Sequence, residues 1–387
     1  MKILFVLGQI PTKPFLDGGA RWFYNTIKAI HPLVKQIHVA GQSNEPKEIF
    51  SDLSKYCDQI FIVPPINHGK YRYKILQGWD SGRIRAYNPG IIKLLKYLCI
   101  ENFYDLIFLV GHGTHVYVPY IKGKHVMAAL LDAPSGVIGP TSTSWDLSTF
   151  LNKLVIKQSE RSYNCTDSVL VVSSKDKEIL IKAGVTTPII INPLSVDTTE
   201  FFPWKIKAQT KNILFTGNLN FQPNIDAAIH LVNDIFDKGE FYNKGINCRI
   251  AGRRITQAVK DLARFNGVEI FEDLPDLRPL MNDALIYVAP MQTGLGMKTK
   301  ILEAMAMGKP IIGYPLTYNG IKDPEQFAIV CQSPQEFIEA INKLNHDVCL
   351  RNYMGEKARK FAEDNYSLEQ NITLILDQVK LISDSHI

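Results

Sequence analysis

The stretch from Leu285 to Pro315 constrains the fold of this chain more than any other, because it predicts a strand, a glycine loop, a helix and a second strand in direct succession. Leu285 to Ala289 is a short apolar run, and Met297 to Met307 carries apolar residues at helical spacing. Gly308 stands where a helix C-terminal glycine is expected, and residues 310–313 open the next buried strand. The stretch therefore predicts an α/β unit with a loop and a helix start at a strand end.

The glycine loop, residues 293–296, keeps side chains out of the way where this helix begins. Backbone N–H groups and the helix dipole can then meet an anion at close range. Lys298 and Lys300 follow in the predicted first turn, and Glu303 shares a helix face with Lys300. The cation suits a diphosphate, and the carboxylate suits the paired hydroxyls of a ribose. The alternative is a core helix with a solvated Lys/Glu face, but the glycine loop after a strand favours an anion site.

The segment APMQTGLGMKTKILEAMAMGKPII resembles the donor-site segment of the GT-B glycosyltransferases of family 4, particularly a bacterial branch with the pattern GxGxKxKxLEAMAxGxP. The resemblance implies that this helix receives the diphosphate of a nucleotide sugar and that Glu303 holds the ribose. Many members carry a glutamate eight positions upstream that touches the donor sugar, where this chain has Leu295. The donor sugar is therefore left open. The candidate donor-binding residues of this segment are Gly294, Gly296, Met297, Lys298, Lys300 and Glu303.

The whole chain has 387 residues, with 46% hydrophobic and 21% charged residues, which predicts a soluble globular protein of two domains. The formal charge of +5 is modest and no long Lys/Arg block occurs, so the charge does not indicate a nucleic-acid partner. No window reaches the ~18 apolar residues of a spanning helix. Residues 1–7 predict a first strand rather than a signal peptide. We expect a cytoplasmic protein, with contact at the inner face of the membrane left open.

No metal site is expected from the sequence. The six cysteines are scattered without CxxC spacing and read as reduced and structural. No DxD triplet occurs in a loop after a strand, which favours metal-independent chemistry. The paired glycines Gly18 and Gly19 at the first strand-to-helix junction do not form a GxGxxG motif, so a nicotinamide or flavin cofactor is not indicated. The family resemblance implies instead that they approach the donor phosphates; a plain loop is the alternative.

Two further features of the N-terminal half predict site residues. Residues 67–89 interleave basic side chains with tyrosines and Trp79, which suits a phosphate- or sugar-bearing acceptor or a membrane interface, or a solvated loop that only anchors its tyrosines. Residues 105–110 predict a buried strand that delivers the histidine loop, residues 111–115. The resemblance implies that His112 contacts the donor sugar, with His115 as the alternate. Otherwise His112 caps the turn and His115 packs beside Tyr117.

The alternation of strands and helices predicts two doubly wound, Rossmann-like domains facing a cleft, the GT-B architecture. We place a domain on the acceptor side at residues 1–200 and a nucleotide-sugar-binding domain at residues 201–365. The resemblance implies that the last helix, residues 366–387, crosses back to the first domain. After Gly217 many family members carry a phosphate-binding arginine and lysine, whereas this chain has Asn218 and Gln222. Arg253 or Arg254 is then expected to assist; the candidates here are Gly217, Asn218 and Arg253.

The predicted function is transfer of a sugar from a nucleotide-sugar donor to a hydroxyl of a saccharide, glycan or lipid-linked acceptor. The resemblance implies retention at the anomeric carbon, with the nucleotide sugar as co-substrate and no other cofactor. Two alternatives are a hexosamine 2-epimerase on the same fold and a non-catalytic subunit that only binds nucleotide.

Overall fold

The computed structural model of the protein describes residues 1–12, 18–67, 69, 80–137, 147–204, 211–294 and 296–384. The chain divides into two compact units, the first comprising Met1–Pro193 and Asn371–Ile387, the second Leu194–Gln370. Each unit contains a parallel sheet with helices, so the predicted α/β class is confirmed. None of the helices described is both long and apolar enough to cross a membrane.

Seven parallel strands form one sheet in the described part of the first unit. They are β1 (Lys2–Leu7), β2 (Gln36–Gln42), β3 (Gln59–Val63), β4 (Leu106–Val110), β5 (Val126–Leu130), β6 (Ser168–Val171) and β7 (Ile189–Ile191). Their order across the sheet is β3-β2-β1-β4-β5-β6-β7. Apolar runs such as LIFLV in β4 are typical of parallel strands that are covered on both faces.

The first unit also contains helical residues 371–384, described with the second unit below. The helices within Met1–Pro193 cover this sheet. They are α1 (Gly18–Ile30), α2 (Ser81–Ala86), α3 (Pro89–Glu101), α4 (Pro134–Val137), α5 (Leu147–Arg161) and α6 (Ser174–Ala183). Phe5 of β1 stacks on Phe108 of β4 with ring centroids 5.0 Å apart, and Phe23 of α1 meets Phe5 edge-on at 5.4 Å. These aromatic contacts join the central strands to α1 in a continuous core.

The sequence from Lys47 to Tyr56 predicts a helix between β2 and β3, and this prediction is wrong. Residues 47–56 form two short 3-10 turns, Lys47–Ser51 and Leu53–Lys55. Within the turns only Phe50 and Leu53 are buried, so there is little apolar surface to stabilise a longer helix. Serine and aspartate side chains between them compete for backbone hydrogen bonds and favour turns.

Six parallel strands form the sheet in the described part of the second unit. They are β8 (Asn212–Asn218), β9 (Asn247–Arg253), β10 (Val268–Glu272), β11 (Ile286–Ala289), β12 (Ile311–Gly313) and β13 (Ala328–Val330). Their order is β10-β9-β8-β11-β12-β13. The remaining helices are α7 (Gln222–His230), α8 (Gln257–Lys260), α9 (Arg278–Asp283), α10 (Thr299–Ala306), α11 (Pro334–His346), α12 (Val348–Tyr366) and α13 (Leu368–Asp384), with a π-helical segment, Leu231–Phe236, continuing α7.

The boundary between the units follows Pro193, earlier than the predicted boundary after residue 200. Arg359 of α12 explains the difference. Its guanidinium donates hydrogen bonds to the carbonyl oxygens of Thr198 and Phe201 at 3.1 and 2.6 Å, and to that of Ala306 at 2.6 Å. Buried or half-buried charge-assisted bonds of this kind hold the connecting segment on the second unit.

Candidate functional site

Each sheet has one place where the chain order reverses, between β1 and β4 in the first unit and between β8 and β11 in the second. Loops at the carboxyl ends of such strand pairs diverge and leave a crevice in which open α/β sheets bind ligands. The histidine loop follows β4, and the glycine loop follows β11. Both predicted site loops therefore lie at the switch point of their own unit.

The glycine loop has a backbone that favours glycine. Gly294 and Gly296 have φ angles of +94° and +79°, in the left-handed region. A Cβ atom added to Gly294 would lie 3.1 Å from Cβ of Pro223, so the loop packs on the start of α7. Leu295 lies outside the described residues. Neither α7 nor α10 has a side-chain cap at its N-terminus, in contrast to α2, α3 and α6. The N-terminal ends of two helices that lack a side-chain cap thus flank the loop.

Lys300 lies in the first turn of α10, and its hydrogen-bond partners among the described residues are neutral. Its Nζ donates to Oδ1 of Asn224 at 2.7 Å and to Sδ of Met291 at 3.5 Å, and lies 4.3 Å from the ring centroid of Phe215. The pKa of Lys300 is lowered to about 7, mainly by burial and also by the charge of Lys298, while the charge of Glu303 opposes this shift. An ammonium in this position favours an anionic ligand.

Lys298 donates hydrogen bonds to backbone carbonyl oxygens on both sides of it. It is the residue before α10, not part of its first turn. Its Nζ donates to the carbonyl oxygens of Leu316 at 2.8 Å and Gly296 at 3.2 Å. These bonds tie the glycine loop to the turn that follows β12, so Lys298 stabilises the loop conformation in the structure.

Asn224, which the sequence reasoning did not identify, connects the end of β8 to Lys300. Its Nδ2 donates to the carbonyl oxygen of Asn218 at 2.9 Å, while its Oδ1 accepts from Lys300. A Cβ atom on Gly217 would lie 3.0 Å from Cγ of Asn224, so glycine there makes room for this amide. The available signal was a polar residue in the first helical turn directly after a Gly-containing strand end.

The other candidates of the second unit lie near the same sheet edge. Arg253 ends β9 and is paired in register with Asn218 of β8, which places it at the carboxyl end of the neighbouring strand. Arg254 follows with an exposed side chain. Glu303 lies one turn beyond Lys300 in α10 and is 9% exposed, and Met297 is buried at 8%. The structure thus brings the candidates of residues 217–303 to one edge of the sheet.

The histidine loop of the first unit packs very closely on α2. Gly111 and Gly113 have φ angles of +89° and +92°. A Cβ atom on Gly113 would lie 2.4 Å from the carbonyl oxygen of Gly82, whereas one on Gly111 would meet nothing within 4 Å. A Cβ atom on Gly82 would lie 1.9 Å from Cδ2 of His112. Two glycines facing each other therefore let the loop and helix touch.

His112 uses both of its ring nitrogens within the first unit. Nε2 is hydrogen-bonded to Oδ2 of Asp80, and Nδ1 to the hydroxyl of Tyr163 at 2.7 Å. Asp80 also caps α2 by accepting from the backbone N–H of Arg83 at 2.8 Å. Burial raises the pKa of the Asp80 carboxyl, but the hydrogen bonds that it accepts and the charge of His112 together outweigh burial, so the pKa is lowered. The His112 side chain is 23% exposed, so one edge of the ring reaches solvent.

His115 and Glu160 are buried polar groups beside this network. The His115 ring lies edge-on to Tyr163, with ring centroids 4.4 Å apart. His115 is 2% exposed, and neither ring nitrogen has a hydrogen-bond partner within the described residues. Burial lowers its pKa to about 3, aided by the charges of Arg83 and His112 and opposed by Asp80. Glu160 Oε1 accepts from the N–H of Ser135 at 2.8 Å, and burial raises its pKa.

The remaining candidates of the first unit are only partly covered by the structure. Gly18 and Gly19 form the first turn of α1. Most of the basic and aromatic segment, residue 68 and residues 70–79, lies outside the described residues. Asp80, Tyr163 and Glu160 join the histidine loop in space although they are far apart in sequence. No sequence pattern connects them, because their proximity arises only from the packing of α2 and α5 on the sheet.

Residues able to hold a metal ion do not cluster in the described ranges, where no group of three or more His, Cys, Asp or Glu has a suitable arrangement. All six cysteines are free thiols. Burial raises the pKa of the Cys57 thiol to about 12 and that of Cys331 to about 12, so these two are inert structural residues.

Comparison with known proteins matches part of the second unit to a family. Residues 210–347 match the family described as Glycosyl transferases group 1, and this range contains both the glycine loop and α10. An uncharacterized glycosyltransferase of Methanocaldococcus jannaschii is 25% identical over 251 residues, which cover 57% of this chain and 58% of that protein. The match therefore spans less than two thirds of the relative's length.

Solved structures share the fold over nearly the whole chain. Sucrose-phosphate synthase of Thermosynechococcus elongatus has a TM-score of 0.71 at 14% identity, covering 100% of both chains. TarM has a TM-score of 0.73 at 12% identity over 98% of each chain. HepE of Anabaena, solved with UDP and glucose, has a TM-score of 0.68 at 14% identity over 98% of this chain and 99% of its own. The predicted GT-B fold is confirmed.

Proposed function

We propose that this protein is a glycosyltransferase that moves a sugar from a nucleotide-sugar donor to a hydroxyl of a saccharide, glycan or lipid-linked acceptor. The family match over residues 210–347 supports the activity, and a structural neighbour holding UDP and glucose supports the class of donor. The observation that carries the proposal is Lys300, a cation with neutral partners between two uncapped helix N-termini at the switch point of the second sheet.

The donor diphosphate in this proposal lies at the glycine loop. The N–H groups at the starts of α7 and α10 and the Lys300 ammonium together supply positive potential for its two charges. Glu303, one turn deeper, accepts hydrogen bonds from the ribose hydroxyls. Arg253, at the end of the adjacent strand, adds a second cation. Met297 and Lys298 act by holding the loop rather than by touching the phosphates.

The chemistry proposed is transfer with retention at the anomeric carbon. The bond from the anomeric carbon to the diphosphate oxygen breaks, the acceptor oxygen bonds to the same face, and the acceptor proton passes to the departing phosphate. Lys300 and the helix N–H groups stabilise the charge that develops on the diphosphate. Because the chain supplies these positive groups itself, we propose that turnover needs no divalent metal.

A screen of nucleotide sugars tests this proposal. UDP-, ADP- and GDP-linked sugars are mixed with the protein, and a rise in melting temperature marks a bound donor. Positive donors are then followed for release of free nucleotide, with and without candidate acceptors and with excess EDTA. Turnover in EDTA is expected. Formation of an epimer would indicate the 2-epimerase alternative, and binding without any turnover would indicate a subunit that only binds nucleotide.

A conservative variant locates the donor within the second unit. Glu303→Gln keeps the shape of the side chain and removes the acceptor charge that we assign to the ribose. We expect calorimetry to show donor binding weakened by roughly 10-fold, the effect of losing one charged hydrogen bond. The melting temperature of the free protein should change little. Unaltered affinity would refute the ribose assignment.

A further inference from the structure

We propose that Asn224 is a positioning residue for Lys300, and that donor binding at this site is coupled to uptake of a proton by the Lys300 amine. The inference rests on the proposed function and adds to it a residue and a linkage. The amide of Asn224 contacts both Asn218, at the end of β8, and Lys300, and the residue is 8% exposed.

The orientation of the Asn224 amide is fixed by its two partners. Nδ2 faces a carbonyl oxygen, that of Asn218, which can only accept. Oδ1 faces the Lys300 amine, which as an ammonium can only donate. A flipped amide would place a donor against a donor and an acceptor against an acceptor. The packing of Asn224 on Gly217 leaves the side chain little freedom to move.

Lys300 is held at a defined point but is not neutralised. Within the part of the chain that the structure describes, it contacts the Asn224 oxygen, the Met291 sulfur and the face of Phe215, none of which carries a formal charge. The charged groups that act on it are Lys298 and Glu303 of its own segment, with opposite effects. Desolvation therefore disfavours the ammonium, and a pKa of about 7 leaves about half of the amines unprotonated at neutral pH.

An entering diphosphate changes this balance. Its negative charge stabilises the ammonium and raises the pKa of Lys300, so the amines that were neutral each take a proton from solvent. No bond of the ligand is broken in this step, and the buffer supplies the proton. Uptake of about half a proton per site follows at pH 7, with less below that pH and more above it.

The experiment is isothermal titration calorimetry in buffers of different ionisation enthalpy. The probes are UDP-glucose, ADP-glucose and GDP-mannose, diphosphate diesters that carry no group titrating near neutrality. The slope of observed enthalpy against buffer enthalpy gives the number of protons taken up. We expect about half a proton at pH 7 for the parent protein and none for Lys300→Met, measured with the tightest of the probes.

Two substitutions of Asn224 should shift the uptake in opposite directions. Asn224→Ala removes an acceptor that favours the ammonium, so uptake should rise toward one proton while affinity falls roughly 3–30-fold. Asn224→Asp places a carboxylate against the amine and keeps it charged, so uptake should vanish and affinity should fall by repulsion of the diphosphate. Gln222→Ala is the matched control, because Gln222 lies at the same helix start but bonds to Asp226 at 2.7 Å; both quantities should be unchanged.

The possible failures are distinguishable. If none of the three probes binds the parent protein and the wider nucleotide-sugar screen is also negative, the proposed function is overturned. If a probe binds but uptake is absent, persists in Lys300→Met, or is unaffected by both Asn224 variants, the function stands and this inference is wrong. A purely structural Asn224 would lower the melting temperature of its variants while leaving proton uptake at the parent value.

Discussion

The two switch-point loops use the same position in the fold in opposite ways. In the first unit, His112 has Asp80 on one ring nitrogen and Tyr163 on the other, so its polar groups are satisfied by neighbouring side chains. In the second unit, Lys300 meets an amide oxygen, a thioether and an aromatic face. The polar groups of His112 are therefore paired within the protein, whereas the Lys300 amine contacts neutral groups, which under the proposed function leaves its charge for a ligand.

The order of the strands determines where a site can lie in this fold. The contacts of the side chains at that place determine which chemistry the site can perform. Both loops follow a central strand, and both contain glycines with positive φ. In the first loop, the close contact between Gly113 and Gly82 brings α2 and its N-cap residue, Asp80, against His112. The second loop packs on Pro223 at the start of α7, which has no acidic cap.

The largest effect that would test this comparison is expected from Gly113→Ala. The added Cβ would overlap the Gly82 carbonyl at a φ of +92°, so left-handed strain and overpacking together should cost about 2–5 kcal/mol of unfolding free energy. Gly111→Ala shares the positive φ but has open space, and should lose about 1–2 kcal/mol. Urea denaturation measures both. Equal losses would show that close packing of the loop on α2 is unimportant.

The next effect concerns the rate of the proposed transfer. If His112 acts near the departing diphosphate, His112→Ala should lower kcat by roughly 10–1000-fold, the scale of one electrostatic contact. Donor affinity should change much less. His115→Ala is measured beside it, because His115 is buried against Tyr163. If kcat is normal in His112→Ala but strongly reduced in His115→Ala, His115 has the catalytic role instead. If kcat is normal in both variants, neither histidine takes part in the reaction.

Lys300→Met tests the receptor character of the second loop. Loss of one charged contact to the diphosphate should weaken donor binding roughly 10–100-fold. The pKa of Lys300 is about 7 in the folded protein and 10.5 in the unfolded chain. The buried ammonium therefore destabilises the folded state fully below about pH 7, and this destabilisation decreases as the pH rises from 7 to 10.5. The variant should therefore be at least as stable as the parent at pH 7. Lys298→Met, which loses two bonds to backbone carbonyls, should instead be less stable.

The smallest expected effect is a pH dependence of stability in the first unit. The folded pKa of His115 is about 3 and its unfolded value is 6.5, so the unfolded chain binds the extra proton between these values. Stability contributed by neutral His115 is present above pH 6.5 and falls by about 1.4 kcal/mol per pH unit below it. At pH 5 the difference should reach roughly 2 kcal/mol. His115→Phe should lack this slope when unfolding is measured from pH 7 to 5; a parallel slope would show that His115 is hydrated or paired.

The pattern of residues determined the architecture of this protein. Continuous apolar runs such as those of β1 and β4 predicted buried parallel strands, and the glycine loop before a helical repeat predicted the segment from β11 to β12. The positive φ angles of Gly294, Gly296 and Gly308 follow from local backbone demands that glycine alone meets easily. Such features depend on residues close together in the chain, and for that reason they could be predicted.

Tertiary structure decided which polar groups meet. Asn224 and Lys300 are 76 residues apart, and His112 and Tyr163 are 51 apart, yet each pair is hydrogen-bonded. The spacing of Lys298 and Lys300 suggested two equivalent cations, but the turn after β12 presents carbonyls to one and α7 presents an amide to the other. The charge state of a side chain is set by its desolvation and its partners in space, so the packing of distant elements distinguished a supporting lysine from one that remains available to a ligand.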